Sequence, residues 1–127
     1  MLAMTTFDNT GMKTTRVGFG AWAIGGGGWK LGWGEQDDAD SVATIRAAIE
    51  RGINWIDTAA IYGHGRSEQV VAEAIAGYPA ADRPYICTKC GRVWDPRTRR
   101  ACRRRSSRPR ASAVSSRTPC AARRGLR

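Results

Sequence analysis

The chain has 127 residues, 42% of them hydrophobic, and a formal net charge of +10 at pH 7. This size fits one domain, and no window approaches the roughly 18 apolar residues that a membrane helix needs, so a membrane-spanning protein is not expected. Residues 1–95 hold nine Lys and Arg against eleven Asp and Glu, whereas residues 96–127 hold twelve Arg and no acid. A slightly acidic domain is therefore followed by a strongly basic tail.

The N-terminal part predicts a hairpin, a strand and a loop. Two short runs rich in Thr, Phe and Val flank the tetrapeptide DNTG at residues 8–11, and Asn and Gly tolerate the positive φ of a tight turn. A strand follows at about residues 16–20. The next segment, AWAIGGGGWKLGWGEQDD, is predicted to be a loop, because the four consecutive glycines at residues 25–28 leave the backbone too flexible for a helix.

Residues 38–51 are predicted to form a helix. Acids crowd its first turn, and Gly52 stands where the helix would end. Apolar residues recur along it at helical spacing, namely Val42, Ile45 and Ile49.

Strands and helices then alternate. Residues 53–57 are predicted to form a short strand, Ser67 is expected to cap a second helix that ends near Gly77, and residues 85–89 are predicted to form a further strand. This alternation predicts right-handed crossovers and a parallel sheet, in either an open doubly wound fold or a (β/α)8 barrel. The doubly wound alternative loses support because its phosphate-binding glycines would open a helix, whereas here the glycines open a long loop.

Polar residues follow the predicted strands at one rim. In barrels of this type, functional groups gather at the carboxyl ends of the strands. Residues 20–22 follow the first predicted parallel strand. Asp57 ends the second strand, and Tyr62 lies in the loop after it. Lys89 ends the third strand. Taken singly, each has an ordinary explanation as a turn acceptor, a packing residue or a solvated charge.

Taken together, Tyr62, Lys89 and Asp57 predict a general acid. A tyrosine with an ordinary pKa near 10 is a poor proton donor at neutral pH, but a lysine ammonium beside such a tyrosine favours the phenolate and lowers that pKa. A shift of two units corresponds to roughly 2.7 kcal/mol. A carboxylate holds the lysine charged and aimed. The three residues could therefore protonate a carbonyl oxygen while a hydride arrives at its carbon.

The segment DTAAIYGHGRSE, with GFGAWAIGG before it and CTKCG after it, resembles the aldo-keto reductases over about residues 5–93. Asp, Tyr and Lys occur in the order and at the spacing of that family. The resemblance implies the N-terminal fragment of a (β/α)8 TIM barrel, a hairpin plus about three βα strands. It also implies reduction of an aldehyde or ketone, a small-molecule carbonyl substrate, to an alcohol, with NADPH as the expected cofactor and NADH as the alternative.

The resemblance also assigns roles to residues. Tyr62 matches the proton donor of the family, Lys89 the lysine that tunes it, and Asp57 the carboxylate paired with that lysine. The expected cofactor-binding residues are Asp57 and the exit of the first parallel strand, which is Gly20, Ala21 and Trp22. An apolar substrate wall made of Trp22, Trp29 and Trp33 and simple packing of these tryptophans remain equally open.

The chain departs from the family in two ways. Its one histidine, His64, lies two residues after Tyr62 at a position that varies in the family, so it receives no catalytic role. The histidine of the family's fourth strand and the residues that grip the nicotinamide belong to later strands. Because a whole barrel needs about 250 residues, we expect this chain to be truncated, unstable when isolated, and inactive.

The tail at residues 96–127 has two competing explanations. A functional Arg-rich tail could bind nucleic acid or another polyanion by releasing counterions from phosphates. We favour loss of the coding frame near residues 93–96, because Arg, Ala, Ser and Pro without Lys are typical of a shifted frame in a GC-rich gene. Either way, the tail is expected to lack a core and to be disordered. A third function, a partner protein that completes its sheet against another chain, also stays open.

The four cysteines, at residues 87, 90, 102 and 120, predict reduced thiols. Cys87 and Cys90 form a C-x-x-C motif, but the spacings to the other two fit no standard zinc site, so no metal is expected.

The N-terminus lacks the pattern of a signal peptide. These features predict a cytoplasmic protein whose oligomeric state the sequence leaves open.

Overall fold

The computed structural model describes residues 2–95 and the backbone of residues 101–103. The predicted order of hairpin, strand, helix, strand, helix and strand is confirmed. None of the helices described is long and apolar enough to cross a membrane. In chain order the elements are β1 (Met4–Phe7), β2 (Met12–Thr15), β3 (Phe19–Gly20), α1 (Asp38–Glu50), β4 (Trp55–Asp57), α2 (Arg66–Ile75), β5 (Tyr85–Cys87), β6 (Arg92–Trp94) and β7 (Ala101–Arg103).

The N-terminal hairpin is the antiparallel pair of β1 and β2, with Met4 opposite Thr15. Its turn closes at Gly11, whose φ of +72° a side chain would oppose, as the sequence predicts. The side chain of Asn54, just before β4, fastens the hairpin to the rest of the domain. Its Oδ1 accepts a hydrogen bond from the Thr15 N–H at 2.8 Å, and its Nδ2 donates to the Lys13 carbonyl at 2.9 Å.

The strands β3, β4 and β5 form a parallel sheet in that order. Asp57 at the end of β4 pairs with Gly20 of β3 on one side and Cys87 of β5 on the other. The regular strands are shorter than predicted, but backbone hydrogen bonds continue the pairing past their ends. Ala21 N–H donates to the Asp57 carbonyl, and Thr58 N–H donates to the Cys87 carbonyl, each at 2.8 Å.

The hydrophobic core lies between one face of this sheet and the two helices. The predicted helix α1 is confirmed, and the Asp37 carboxylate caps it by accepting a hydrogen bond from the Asp40 N–H at 2.9 Å. Ile56 at the centre of β4 is completely buried. Around it pack the buried residues Ala21, Ile24, Val42, Ile45, Val70, Val71 and Ala74, with Phe19, Ile49 and Ile75 partly buried at the margin.

The prediction that Ser67 caps the second helix is wrong. Helix α2 begins one residue earlier, at Arg66, with Gly65 in the cap position. The Ser67 hydroxyl is completely buried and donates to the Ala21 carbonyl at 2.8 Å, so it is engaged by the sheet rather than by the first turn of its own helix. A serine before an apolar run signals a cap only when no tertiary partner takes its hydroxyl.

A short antiparallel ribbon of β6 and β7 follows the parallel sheet, with Val93 opposite Cys102. No strand is predicted from the sequence at residues 101–103, inside the basic tail. Backbone N–H and C=O groups alone make the ladder of an antiparallel pair, so a segment poor in apolar residues can still form one. The rest of the tail lies outside the described residues.

Burial should decide how much each sheet isoleucine contributes to stability. Ile56 and Ile86 pair across β4 and β5 and share a face, but Ile56 is 0% exposed and Ile86 is 40% exposed. We expect Ile56→Val to lower the free energy of unfolding by about 0.5–1.5 kcal/mol. Ile86→Val, the matched control, should change it by less than about 0.5 kcal/mol.

The measurement is a denaturation series followed by circular dichroism in trimethylamine N-oxide. This osmolyte favours the compact state, so it allows a chain of low stability to be compared with its variants. Equal effects of the two substitutions would mean that the helices do not cover β4 as described.

Candidate active site

The carboxyl ends of the three parallel strands bring the predicted site residues together. Gly20, Asp57 and Cys87 stand side by side in register, and Lys89 follows two residues after β5. The Lys89 ammonium lies 2.8 and 2.7 Å from the two carboxylate oxygens of Asp57 and donates to the Thr58 carbonyl at 3.1 Å. The Lys89 side chain is 49% exposed and that of Asp57 is 39% exposed. The pair therefore sits at the open rim of the sheet.

Tyr62 lies beside this ion pair. Lys89 Nζ is 4.9 Å from the centroid of the Tyr62 ring, close enough for a cation–π contact. Partial burial lowers the pKa of Lys89, but hydrogen bonding to Asp57 and Tyr62 and the charges of both outweigh it, so the pKa is raised above its usual 10.5. Lys89 is thus held as a cation against the tyrosine. The catalytic roles of the three residues stay predictions.

Two tryptophans of the loop between β3 and α1 cover Tyr62, which is only 5% exposed. Its ring centroid is 5.0 Å from that of Trp22 and 6.0 Å from that of Trp29, and the two indoles are 5.7 Å apart. Each indole N–H is held by a backbone carbonyl of the same loop, at Leu31 for Trp22 and at Gly26 for Trp29. Trp33, the third residue of the expected wall, is 77% exposed.

A left-handed turn directly after Tyr62 directs the chain into α2. Gly63, His64 and Gly65 all have positive φ, at 57°, 56° and 95°. The turn packs on Gly25 so closely that a Cβ on Gly63 would lie 2.0 Å from the Gly25 carbonyl oxygen, and one on Gly25 would lie 2.7 Å from the Gly63 nitrogen. Glycine at both positions therefore lets the two loops touch.

A buried hydrogen-bond network behind the site was missed by sequence reasoning. The hydroxyls of Thr58 and Ser67 are 2.9 Å apart, and Ser67 also bonds to the Ala21 carbonyl. Both side chains are almost completely buried. The network joins β3, the loop after β4 and helix α2, so it fixes the backbone on both sides of Asp57. No spacing in the sequence could reveal it, because the acceptor is a backbone carbonyl 46 residues away.

The residues expected near a nicotinamide differ in how accessible they are. A Cβ on Gly20 would have no atom within 4 Å, so the backbone at the end of β3 is open to a ligand. Trp22 is 37% exposed at the same rim. Ala21 is completely buried, and its backbone N–H holds the Asp57 carbonyl in place. An accessible backbone at Gly20 and a partly exposed indole at Trp22 are compatible with a nicotinamide cofactor, whose binding here stays a prediction.

His64 packs against an aromatic side chain of β6. Its ring makes an edge contact with Trp94, at a centroid distance of 5.4 Å. Within residues 2–95, no group of three or more His, Cys, Asp and Glu side chains is placed to hold a metal ion. Cys87 and Cys90 are free and exposed. The side chain of Cys102 and all of Cys120 lie outside the described residues, so the four-thiolate alternative stays untested.

A family comparison gives this geometry a context. The model of the aldo/keto reductase family matches residues 16–116. The chain belongs to this family. The match begins after the hairpin and ends within the basic tail, beyond the limit of residue 93 expected from the motifs alone.

Curated relatives of this aldo/keto reductase chain match about 70% of it. It is 43% identical over 90 residues to aldo-keto reductase YhdN of Bacillus subtilis, covering 71% of this chain and 26% of that protein. It is 41% identical over 87 residues to the NADH-specific methylglyoxal reductase of Escherichia coli, covering 68% and 26%. The chain therefore spans about a quarter of the length of these relatives.

The solved structures agree on the fold. A glycerol dehydrogenase of Gluconobacter oxydans superposes with a TM-score of 0.57 at 36% sequence identity, over 81% of this chain and 30% of that one. Structural neighbours in this family are (β/α)8 barrels. The predicted fold, a partial α/β unit corresponding to part of such a barrel, is confirmed.

The ion pair should control the titration of Lys89. Its raised pKa means that folding favours the ammonium. This contribution to stability is complete below the unfolded-state pKa of 10.5 and is lost as pH rises through the higher folded-state pKa. We expect Asp57→Asn to lower the pKa of Lys89, followed through the 13Cε chemical shift. Asp8→Asn, which removes a carboxylate of the hairpin turn instead, should not. An unchanged Lys89 titration in Asp57→Asn would contradict the described contact.

Contact between the two loops should depend on glycine. Gly63→Ala combines a positive φ with a clash against backbone, so we expect it to destabilise the domain by more than about 1 kcal/mol. Gly77→Ala is the control, because its Cβ would meet nothing and its φ lies outside the left-handed region. It should be neutral or stabilising by up to about 1 kcal/mol. Similar melting curves for both variants would rule out the close contact with Gly25.

Proposed function

We propose that this site serves NAD(P)H-dependent reduction of aldehydes or ketones to alcohols, with Tyr62 as the proton donor. The observation that carries the proposal is the position of the Lys89 ammonium, bound by Asp57 and 4.9 Å from the centre of the Tyr62 ring. Membership of the aldo/keto reductase family supports it. Because the chain spans about a quarter of its relatives' length, the activity is proposed from the site and the family together.

Each of the three residues has a physical task in this reaction. When bound, the nicotinamide cofactor supplies the hydride. Tyr62 gives its phenolic proton to the carbonyl oxygen as negative charge develops there. Lys89 stabilises the phenolate that remains, since a cation close to a phenolate favours the charged form. Asp57 keeps Lys89 charged and fixes its position through two hydrogen bonds.

The cofactor would bind at the carboxyl end of β3. Gly20 would allow the nicotinamide to approach the backbone, and the exposed part of Trp22 would pack against a flat ring. NADPH is our first choice of cofactor, while the Escherichia coli relative is named as NADH-specific, so both cofactors belong in every assay. We also infer a cytoplasmic location, supported by the free thiols of Cys87 and Cys90, since such a compartment keeps thiols reduced.

The test is a hybrid enzyme. The 90-residue matching segment of this chain replaces its counterpart in the Bacillus subtilis relative, which supplies the remainder of a barrel. We expect the hybrid to reduce methylglyoxal with NADPH or NADH, and Tyr62→Phe in the hybrid to lower kcat/KM by about 10²–10⁴ through loss of the general acid. The isolated 127-residue chain is expected to be inactive.

Tyr78→Phe provides the matched control, because it removes the hydroxyl of a tyrosine that lies just beyond α2, away from the rim. It should leave kcat/KM unchanged. A Tyr62→Phe hybrid as active as its parent would exclude proton donation by Tyr62. A cooperatively folded hybrid without activity would count against the whole assignment.

A further inference from the structure

Arg66 links the two loops that build the site. It is the first residue of α2, four residues after Tyr62. Its Nε donates to the Asp38 carboxylate at 2.9 Å, its Nη2 is 2.8 Å from the same oxygen, and Nη2 also donates to the Gln36 carbonyl. Through these contacts, the guanidinium holds the C-terminal end of the β3–α1 loop against the start of α2.

The same side chain also touches the beginning of that loop. A Cβ on Gly26 would lie 2.1 Å from Arg66 Nη1, so the guanidinium occupies the space that a side chain would need. The Gly26 carbonyl in turn accepts the indole N–H of Trp29 at 2.9 Å. A continuous series of contacts therefore runs from Arg66 through Gly26 to Trp29, whose ring lies against Tyr62.

We propose that Arg66 is a positioning residue. It holds the β3–α1 loop, which carries Trp22 and Trp29, over Tyr62 and so sets how accessible the Tyr62 hydroxyl is. Arg66 contacts Gly26 near one end of the loop and Gln36 and Asp38 at the other. One planar guanidinium can join both ends because its nitrogens donate in several fixed directions. Its place in catalysis rests on the proposed proton donation by Tyr62, but its effect on the loop does not.

The experiment measures acetylation of individual tyrosines by N-acetylimidazole in the full 127-residue chain, with mass spectrometry to assign each site. Trimethylamine N-oxide is present at a concentration that gives a folded plateau. Tyr85, which is 41% exposed, serves as the internal reference for Tyr62, which is 5% exposed. In the wild-type chain, Tyr62 should react about tenfold more slowly than Tyr85, because modification requires the tryptophan loop to open locally.

Arg66→Met should reduce this protection of Tyr62 about threefold or more. Without the Arg66 contacts, local opening of the β3–α1 loop costs less free energy. Arg66→Lys should resemble Arg66→Met, since an ammonium can keep the pair with Asp38 but cannot also replace the fork that reaches Gln36 and Gly26. The control is Arg46→Met. Arg46 also bridges α1 to α2, through hydrogen bonds to the carbonyls of Ala74 and Glu73, but at the far end of α2.

A double-substitution cycle tests the contact with Gly26 directly. Gly26→Ala should expose Tyr62 in the wild-type background through both its clash with Arg66 and its positive φ of 70°. In the Arg66→Met background only the backbone strain remains, so the added effect of Gly26→Ala should be smaller. The near-ultraviolet circular dichroism signal from Trp22 and Trp29 should weaken in Arg66→Met. The far-ultraviolet spectrum of Arg66→Met should match that of Arg46→Met.

Three results would overturn the inference: equal reactivity of Tyr62 and Tyr85 in the wild-type chain, retained protection in Arg66→Met, or the same loss in Arg46→Met. None of these readouts requires turnover. An inactive hybrid enzyme together with a selective Arg66 effect would therefore reject the proposed function and still confirm the positioning role.

Discussion

The in-register parallel pairing at Asp57 is the constraint on which the site depends. Asp57 is paired on one side with Gly20 and on the other with Cys87, so the exits of three strands meet at one level. Lys89, two residues beyond Cys87, then reaches the Asp57 carboxylate without a long loop. A slip of one residue in either pairing would turn Asp57 or Cys87 to the opposite face of the sheet and separate the ion pair from Tyr62.

The energetics of the pair favour a role in orientation over one in stability. With side chains 49% and 39% exposed, Lys89 and Asp57 form a solvated ion pair, and such pairs contribute less than about 1 kcal/mol. Stability comes instead from the apolar contacts around Ile56, on the other side of β4. One short strand thus presents a buried isoleucine to the helices and, at the next position, a charged carboxylate to the rim.

The sequence was informative wherever the signal was local. Helical spacing located α1, turn residues located the hairpin, and alternation of elements gave the parallel sheet. The grouping of Asp57, Tyr62 and Lys89 followed from one general rule, that strand ends share a rim. By contrast, local sequence wrongly predicts a cap at Ser67, because the partner of its hydroxyl, the Ala21 carbonyl, is distant in sequence.

The role inferred for Arg66 was equally invisible in the sequence. Its partners are one carboxylate, one backbone carbonyl and the bare face of a glycine, and none of them leaves a pattern of spacing. Loop tryptophans were ambiguous between packing and a substrate wall for the same reason. In the structure Trp22 and Trp29 lie on Tyr62, whereas Trp33 is largely exposed. A substrate wall stays a hypothesis for the first two.

The position of the Lys89 ammonium over the Tyr62 ring can be measured directly by NMR. A methylene group above an aromatic ring is shifted upfield by the ring current. The described geometry therefore predicts upfield ε-methylene protons for Lys89, with nuclear Overhauser contacts to the Tyr62 ring, and loss of both in Tyr62→Leu. Lys89 protons at ordinary lysine shifts in the folded chain, unchanged by Tyr62→Leu, would contradict the account.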